Sequence, residues 1–303
     1  MKSLSRNILL VFSTVLFKSS QKQVLIFLLA TIICTGRCYS QDQDAQILTI
    51  PEIEESVPEA GKRVKIHLPE YPEVYYVLFL PYNFTHAEKL PVICEIPANA
   101  CSYVYNGLPD TTTFLGYGIT KGRDWIWVSL PILNSEGNKI LQVYFPEDPS
   151  ETIKFWLLVL NDLNKKFNID SNKIVLSGFS RGAISISYLG NSNDEISSKW
   201  AAYFAHAHFD GCCQTIPGNC EERINRMKDK ETLIAVGKND IAHKCSTDTY
   251  RKLNDLRFPV TYIEIPDIYT NKWENLAHNP FWILENSESA QKARDWLQDL
   301  FTN

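Results

Sequence analysis

The sequence predicts an α/β fold in which helices cover both faces of a mainly parallel sheet, and three observations predict it. Short apolar stretches alternate along residues 60–303 with stretches of helical periodicity, the pattern of strand–helix–strand units. The composition, 45% hydrophobic and 21% charged, suits one sizeable core and excludes a disordered, collagen-like or coiled-coil chain. About 260 residues follow residue 40, a length that suits one such domain.

The individual elements follow from local patterns. Stretches of strand length that are rich in apolar residues occur at 64–67, 74–80, 91–96, 125–130, 173–176, 201–206, 232–236 and 260–265. Apolar residues recur at helical spacing over 152–166, 181–189 and 287–301. Pro69, Pro72 and Pro81 punctuate the first two strands, which we expect to pair with each other. The later strands are separated by helices, so we expect them to run parallel.

The first 40 residues differ from the rest in charge and hydropathy. They carry five basic residues and no acidic one, with apolar runs at 8–17 and 24–34 that are each too short to span a bilayer of about 30 Å. Small residues at Cys38 and Ser40 stand at the −3 and −1 positions of a cut before Gln41. We therefore predict a secretory signal peptide at 1–40 and a secreted or periplasmic protein. The alternative is an uncleaved membrane anchor formed by residues 8–34.

Beyond residue 40 the chain is acidic, with 25 basic and 35 acidic residues and a net charge of −10. An acidic lead-in occupies 41–59, and the domain occupies 60–303. Such a body should repel nucleic acid and anionic membranes. We therefore expect no nucleic-acid partner, and membrane contact only through an uncleaved N-terminal segment.

An even number of cysteines, six, remains after residue 40, which predicts disulfides in an exported chain. The residues are Cys94, Cys101, Cys212, Cys213, Cys220 and Cys245. The alternative for Cys94, inside an apolar strand, is a buried thiol. Asn83 begins an Asn-Phe-Thr glycosylation sequon, which has meaning only in a eukaryotic secretory pathway.

The strongest functional signal is Gly178-Phe179-Ser180-Arg181-Gly182, a G-x-S-x-G motif between a predicted strand and a predicted helix. In that context the serine lies on a strained turn, and the glycines let neighbouring backbone approach it. The turn also places the hydroxyl near a helix N-terminus, where negative charge is tolerated. The motif predicts a nucleophilic serine, Ser180; the alternative is a glycine-flanked turn with an inert serine.

By this motif and by element order, residues 60–302 resemble the α/β-hydrolase family of serine esterases, lipases and peptidases. A closer similarity is to exported bacterial α/β-hydrolases of undefined substrate, through residues 115–119, 178–183 and 208–211. The resemblance implies a central sheet with helices on both faces, a serine nucleophile and no cofactor. It also implies that the catalytic groups follow one another in the order serine, acid, histidine.

Serine needs a histidine to take its proton, and the histidine needs a carboxylate to orient it. Asp240 follows the strand 232–236, where the family's acid usually stands, and Asp210 is the alternative acid. His278 is the only histidine after the last predicted strand, so we predict it as the base.

The negative charge that develops on the substrate needs backbone donors, which form an oxyanion hole. The N–H of Arg181 should supply one. The loop after strand 91–96 should supply the other through Ala98 or Asn99, because Pro97 has no N–H. Glu95, at the end of that strand, is predicted to be buried. One hypothesis is that its carboxylate pairs with Arg181.

Two further groups of residues complete the hypothesis. His206, His208 and Asp210 share one face of a strand and could bind a metal, which would make the chain a metal-dependent hydrolase. A structural role near the carboxyl edge of the sheet is the favoured interpretation, and we predict no metal site. Aromatic residues in loops near the carboxyl ends of the strands could form the substrate rim: Tyr103, Tyr105, Tyr117 and Trp273. We expect an exported serine hydrolase acting on a small-molecule or carbohydrate-linked ester. A catalytically inactive binding module is the alternative.

Overall fold

The centre of the fold is one sheet, and nine strands of it lie in the residues that the computed structural model describes: 47–100, 105–110, 113–209, 219–266 and 277–302. The chain divides into two units, Met1–Asp44 and Ala45–Asn303, and the described residues all belong to the second. The predicted signal peptide at 1–40 and residues 41–46 of the acidic lead-in lie outside them.

All the predicted strands and the three predicted helices are present, although the strand predicted at 173–176 extends over Ile169–Phe179. The helix His243–Asp255 and several short elements were not predicted. The strands are β1 (Ile53–Glu54), β2 (Arg63–Leu68), β3 (Tyr71–Phe79), β4 (Leu90–Ile96), β5 (Ile126–Ser129), β6 (Ile169–Phe179), β7 (Ala202–His206), β8 (Glu231–Gly237) and β9 (Val260–Ile265). The helices are α1 (Leu115–Thr120), α2 (Ser150–Phe167), α3 (Arg181–Tyr188), α4 (Asp194–Ser197), α5 (Cys220–Asn225), α6 (His243–Asp255) and α7 (Glu288–Asp299). A 3₁₀ turn occupies Phe281–Leu284.

The strands lie in the order β1-β2-β3-β5-β4-β6-β7-β8-β9. β3 runs antiparallel to β2 and β5, and the other neighbouring strands are parallel. The register pairs Ile96 of β4 with Gly178 of β6, and Phe179 of β6 with His206 of β7. The carboxyl ends of the central strands therefore meet at one edge of the sheet.

Each face of the sheet carries its own apolar core. One face packs against α2 and α3 through residues such as Phe155, Trp156 and Ile186. The other packs against α1 and α7 through residues such as Leu115 and Ala293. The predicted fold class, a mainly parallel sheet with helices on both faces, is confirmed.

Pro72 lies inside β3, where the sequence suggested a boundary. A proline is tolerated there because β3 pairs with β5 only over Val77–Phe79, so no neighbour on that side needs the missing N–H of Pro72. Among the described residues, no helix combines the length and the apolar character needed to cross a membrane.

Cys94 is a fully buried thiol on β4, as its alternative interpretation expected. Cys101, Cys212 and Cys213 lie outside the described residues, so the disulfide pairing stays a prediction. Asn83 is exposed after β3, and its side chain bonds with Asp124.

Candidate active site

Ser180 lies at a sharp turn between β6 and α3. Its backbone has φ 55° and ψ −117°, a conformation that costs a non-glycine residue about 1–3 kcal/mol. The Ser180 N–H donates to the carbonyl of His206 at 3.0 Å, and its carbonyl accepts from the Ile184 N–H at 3.1 Å. These bonds hold the half-buried Ser180 at the carboxyl end of the sheet.

The two glycines of the motif are required by close backbone contacts. A Cβ on Gly178 would lie 2.4 Å from the carbonyl carbon of Gly182, and one on Gly182 would lie 2.1 Å from the carbonyl oxygen of Ile96. Side chains at either position would force apart β4, β6 and α3. The glycines thus bring the end of β4 against the turn that carries Ser180.

The structure brings Ser180, His278 and Asp240 together in one hydrogen-bonded chain. His278 Nε2 lies 2.9 Å from Ser180 Oγ. His278 Nδ1 lies 2.9 Å from Oδ1 and 3.1 Å from Oδ2 of Asp240. The imidazole can therefore accept the serine proton at Nε2 while its Nδ1–H donates to the carboxylate.

Asp240 is held in a buried, polar position just after β8. Its side chain is 0% exposed, and Oδ1 also accepts a hydrogen bond from the Ala242 N–H at 2.7 Å. Burial raises the pKa of this carboxyl, but the hydrogen bond and charge of His278 and the Ala242 N–H lower it by more. The net pKa lies below its ordinary value, so Asp240 is ionised at neutral pH.

His206, at the end of β7, supports the loop that carries His278. Its Nδ1 lies 3.0 Å from the carbonyl oxygen of Ala235, and its Nε2 lies 2.9 Å from that of Asn279, the residue after His278. The ring also stacks on Phe179 at 5.2 Å, and Phe179 in turn contacts the His278 ring at 4.6 Å. Sequence reasoning favoured a structural role for His206 near the carboxyl edge of the sheet over a role as a metal ligand, and these contacts agree with that role. The particular partners have no local signal in the sequence.

Two candidate donors of an oxyanion hole lie on adjacent segments. Arg181 is the first residue of α3, so its N–H has no partner within the helix. In the described part of the chain, neither the Ala98 nor the Asn99 N–H donates to another backbone group. The contact of Gly182 with Ile96 brings these two segments together.

No family model and no curated protein matches the sequence. Solved structures do match the fold of this chain. A thermostable esterase matches with a TM-score of 0.50 at 18% identity, over 78% of this chain and only 62% of its own length. An arylesterase matches at 0.52 and 12%, over 91% of this chain and 98% of its own. A ferulic acid esterase matches at 0.50 and 14%, over 75% and 93%. The fold is that of the α/β hydrolases.

The positions of the three residues agree with the order that the α/β-hydrolase resemblance implied. Ser180 follows β6, Asp240 follows β8, and His278 lies beyond β9. The alternative acid, Asp210, lies outside the described residues. Asp240 is the carboxylate that the structure places against His278.

Glu95 does not pair with Arg181, and that hypothesis was wrong. Its carboxylate accepts hydrogen bonds from the N–H of Phe114 at 2.8 Å and of Gly116 at 3.1 Å, and from Trp127 Nε1 at 2.9 Å. Glu95 lies on the face of the sheet that α1 covers, and its side chain is used there to hold the start of that helix.

Two of the four aromatic residues that were predicted to form the substrate rim are buried. Tyr117 is 4% exposed, because α1 packs it against Phe79 in the core, so its assignment to the rim was wrong. Tyr105 is 3% exposed and packs 5.6 Å from Phe179, which places it beneath the site instead of at an exposed rim. Tyr103 and Trp273 lie outside the described residues.

The described residues contain no group of three side chains that could hold a metal ion. Both ring nitrogens of His206 face backbone carbonyl oxygens. His208 lies with its ring edge-on to His278 at 5.2 Å, and Asp210 is outside the described residues. The chelator test described under the proposed function therefore decides the metal alternative.

Proposed function

We propose that this protein is a serine hydrolase that cleaves a carboxylic ester through an acyl-enzyme. The observation that carries the proposal is the chain of contacts from Ser180 Oγ through His278 to Asp240, at 2.9 Å on both sides of the imidazole. The fold that this chain shares with a thermostable esterase and an arylesterase supports it.

In the proposed mechanism Ser180 Oγ attacks the ester carbonyl carbon while its proton passes to His278 Nε2. Asp240 stabilises the imidazolium that forms. The oxyanion accepts hydrogen bonds from the Arg181 N–H and from that of Ala98 or Asn99. His278 then gives the proton to the departing alcohol, and the acyl group remains on Ser180. Water, deprotonated by His278, attacks the acyl-enzyme and releases the acid.

For the substrate we propose a small-molecule ester, with a carbohydrate-linked ester as the narrower form. One structural neighbour is named a ferulic acid esterase and another an arylesterase, and both names denote esters of small organic groups. The net charge of −10 on residues 41–303 favours a neutral or cationic substrate over a polyanion.

We further propose that the protein acts outside the cytoplasm, as a secreted or periplasmic enzyme. The basic approach, apolar run and small residues before Gln41 support this location. Retention of residues 8–34 as a membrane anchor is the alternative outcome.

The test is covalent labelling by a fluorophosphonate together with activity on acyl p-nitrophenyl, acetyl-sugar and feruloyl esters. We expect labelling and hydrolysis by the wild-type protein and neither by Ser180→Ala. Ser177→Ala, which removes a buried hydroxyl that donates to the Cys94 carbonyl, is the matched control and should still be labelled. Folded wild-type protein that is not labelled would indicate a binding module. Activity that survives Ser180→Ala and is lost with a chelator would indicate a metal-dependent hydrolase.

A further inference from the structure

The side chain of Arg181 is buried, although the proposed mechanism uses only its backbone N–H. Arg181 is 1% exposed, and among the described residues no carboxylate accepts a hydrogen bond from its guanidinium. Burial lowers its pKa to about 10, so the group is still charged at neutral pH. A buried charge without a carboxylate is costly, which indicates that its other contacts matter.

Those contacts are three backbone carbonyls on two loops. Nη1 donates to the carbonyl oxygen of Leu141 at 3.0 Å and to that of Tyr144 at 3.2 Å. Nη2 donates to the carbonyl oxygen of Gly107 at 3.3 Å. One guanidinium thus fastens the loop around residue 107 and the segment 141–144 to the start of α3.

The two loops are also in direct contact with each other. Gly107 has φ 72°, and a Cβ at this position would lie 2.2 Å from the carbonyl oxygen of Gln142. Segment 141–144 is therefore fixed from one side by Arg181 and from the other by the Gly107 turn.

The same segment holds the loop with the second candidate oxyanion donor. The carbonyl oxygen of Gln142 accepts a hydrogen bond from the Ala100 N–H at 2.8 Å. Ala100 lies one and two residues after Asn99 and Ala98, whose N–H groups are the candidates. The Arg181 side chain is thus connected to loop 97–100 through segment 141–144, by hydrogen bonds at both ends of the connection.

We propose that the Arg181 side chain is a positioning residue that sets the distance between the two donors of the oxyanion hole. This inference rests on the proposed function. Two of its three hydrogen bonds hold segment 141–144, the third holds Gly107, which packs on that segment, and the Gln142 carbonyl holds loop 97–100 through Ala100. Donors of an oxyanion hole act only when they are held at the position that the developing charge will take. The planar fork of arginine can span carbonyls on two loops, whereas the single ammonium of lysine cannot.

The first test compares Arg181→Lys and Arg181→Gln with the wild-type enzyme. We measure kcat and KM on p-nitrophenyl esters and the affinity for a trifluoromethyl ketone, which forms an oxyanion on the nucleophile. We expect kcat to fall about tenfold or more in both variants with little change in KM. The ketone affinity should fall by the same factor as kcat/KM.

A matched control is Arg226→Lys. Arg226 also donates to backbone carbonyls, those of Asn191 and Ser192, but these lie outside the site. We expect this variant to lose stability without a change in ketone affinity. Folded Arg181 variants that keep kcat and ketone affinity within about twofold of wild type would overturn the inference.

The second test does not depend on activity. Amide hydrogen exchange of 98–100 and 140–145 should be faster in Arg181→Gln, and unchanged exchange at Ala100 would overturn the positioning role even in an active enzyme. If exchange is faster in Arg181→Gln but the wild-type protein reacts with neither esters nor fluorophosphonates, the proposed function is wrong, whereas the effect of Arg181 on loop 97–100 is confirmed. If the Arg181 variants do not fold, Gly107→Ala displaces Gln142 directly and should lower kcat and ketone affinity in the same way; wild-type values in that variant would also overturn the inference.

Discussion

At the scale of single residues, the proposed role of Asp240 as the acid that orients His278 can be tested directly. In Asp240→Asn the side chain keeps its size, but an amide N–H2 facing His278 Nδ1 favours the wrong tautomer of the imidazole. We predict that kcat falls by roughly 10³–10⁴-fold while KM changes little. Steady-state kinetics at pH 7 to 8 check this.

The control for that variant is Asp248→Asn. Asp248 is a carboxylate on the surface of α6, where it pairs with Lys244 and Arg251. Its substitution should leave kcat within about twofold of wild type. Retention of more than about a tenth of the activity by Asp240→Asn would rule out Asp240 as the orienting acid.

The sequence alone predicted that Ser180, Asp240 and His278 would lie together, because strand order in this fold places each of them after a particular strand, and their side chains are in contact. It was not sufficient for the partners of Glu95 or of the Arg181 side chain. Those partners are backbone groups on loops, and nothing in a residue type records which carbonyl or N–H a loop will present. Tyr117 was placed wrongly for a different reason. A loop was expected at this position, whereas the chain forms α1 there.

At the scale of elements, Glu95 joins β4 to the start of α1 and to β5. Burial raises the pKa of this carboxyl to about 7, although the N–H groups of Phe114 and Gly116 and the charge of Arg63 act in the opposite direction. The folded pKa therefore exceeds the unfolded value of about 4.3. The contribution to stability is complete below pH 4.3 and is lost as the pH rises to 7.

We therefore predict that the free energy of unfolding falls by about 3 kcal/mol between pH 4.5 and 7 through Glu95 alone. Urea unfolding at several pH values measures the slope. Glu95→Gln should be less stable than wild type at low pH, because its amide N–H2 faces N–H donors, but it should lack this slope. Glu73→Gln, at an exposed position on β3, is the control and should keep it. An equal slope in Glu95→Gln and wild type would contradict the prediction.

A second prediction at this scale concerns β7 and the loop that carries His278. His206→Phe keeps a ring against Phe179 but removes both contacts with backbone carbonyls. Leaving a buried carbonyl unpaired costs about 1–3 kcal/mol, so we expect reduced stability and a fall in kcat of about tenfold. The pH profile of kcat/KM should also shift, since the position of His278 against Asp240 changes.

Trp282→Phe is the comparison for that variant. It removes the indole N–H that points at His206 Nε2 at 3.2 Å and leaves the carbonyl contacts in place. A loss of stability in His206→Phe with kcat and pH profile equal to those of Trp282→Phe would mean that His206 is structural only.

The strands were easier to predict than the short helices. Buried strands such as β4 and β8 are apolar along most of their length. This local pattern predicts a strand without any information about the neighbouring elements. α1 was missed because Gly116 and Gly118 lower helix propensity. The structure explains both glycines: a Cβ on Gly116 would lie 2.3 Å from the Trp127 side chain, and one on Gly118 would lie 2.5 Å from that of Ile283. Tertiary packing, which has no local signal, selects these residues.

At the scale of the whole molecule, the described elements and the candidate site all belong to one unit. The unit Ala45–Asn303 contains both apolar cores, the nine described strands and the three residues of the site. We predict that a chain that begins at Gln41 folds and hydrolyses esters with the same kcat as the full-length protein, which thermal unfolding and steady-state kinetics check.

The proposal that the protein is exported can be tested in cells. If residues 1–40 are a signal peptide, the protein recovered outside the cytoplasm should begin at Gln41 by N-terminal sequencing, because signal peptidase cuts after small residues such as Ser40. Substituting Ser40 by a large residue, Ser40→Trp, should block the cut and leave the unprocessed chain on the membrane. Thr35→Trp, upstream of the −3 position, is the matched control and should be processed. A full-length, membrane-bound wild-type protein would favour the anchor at 8–34, and it would leave the ester chemistry of Ser180 as it stands.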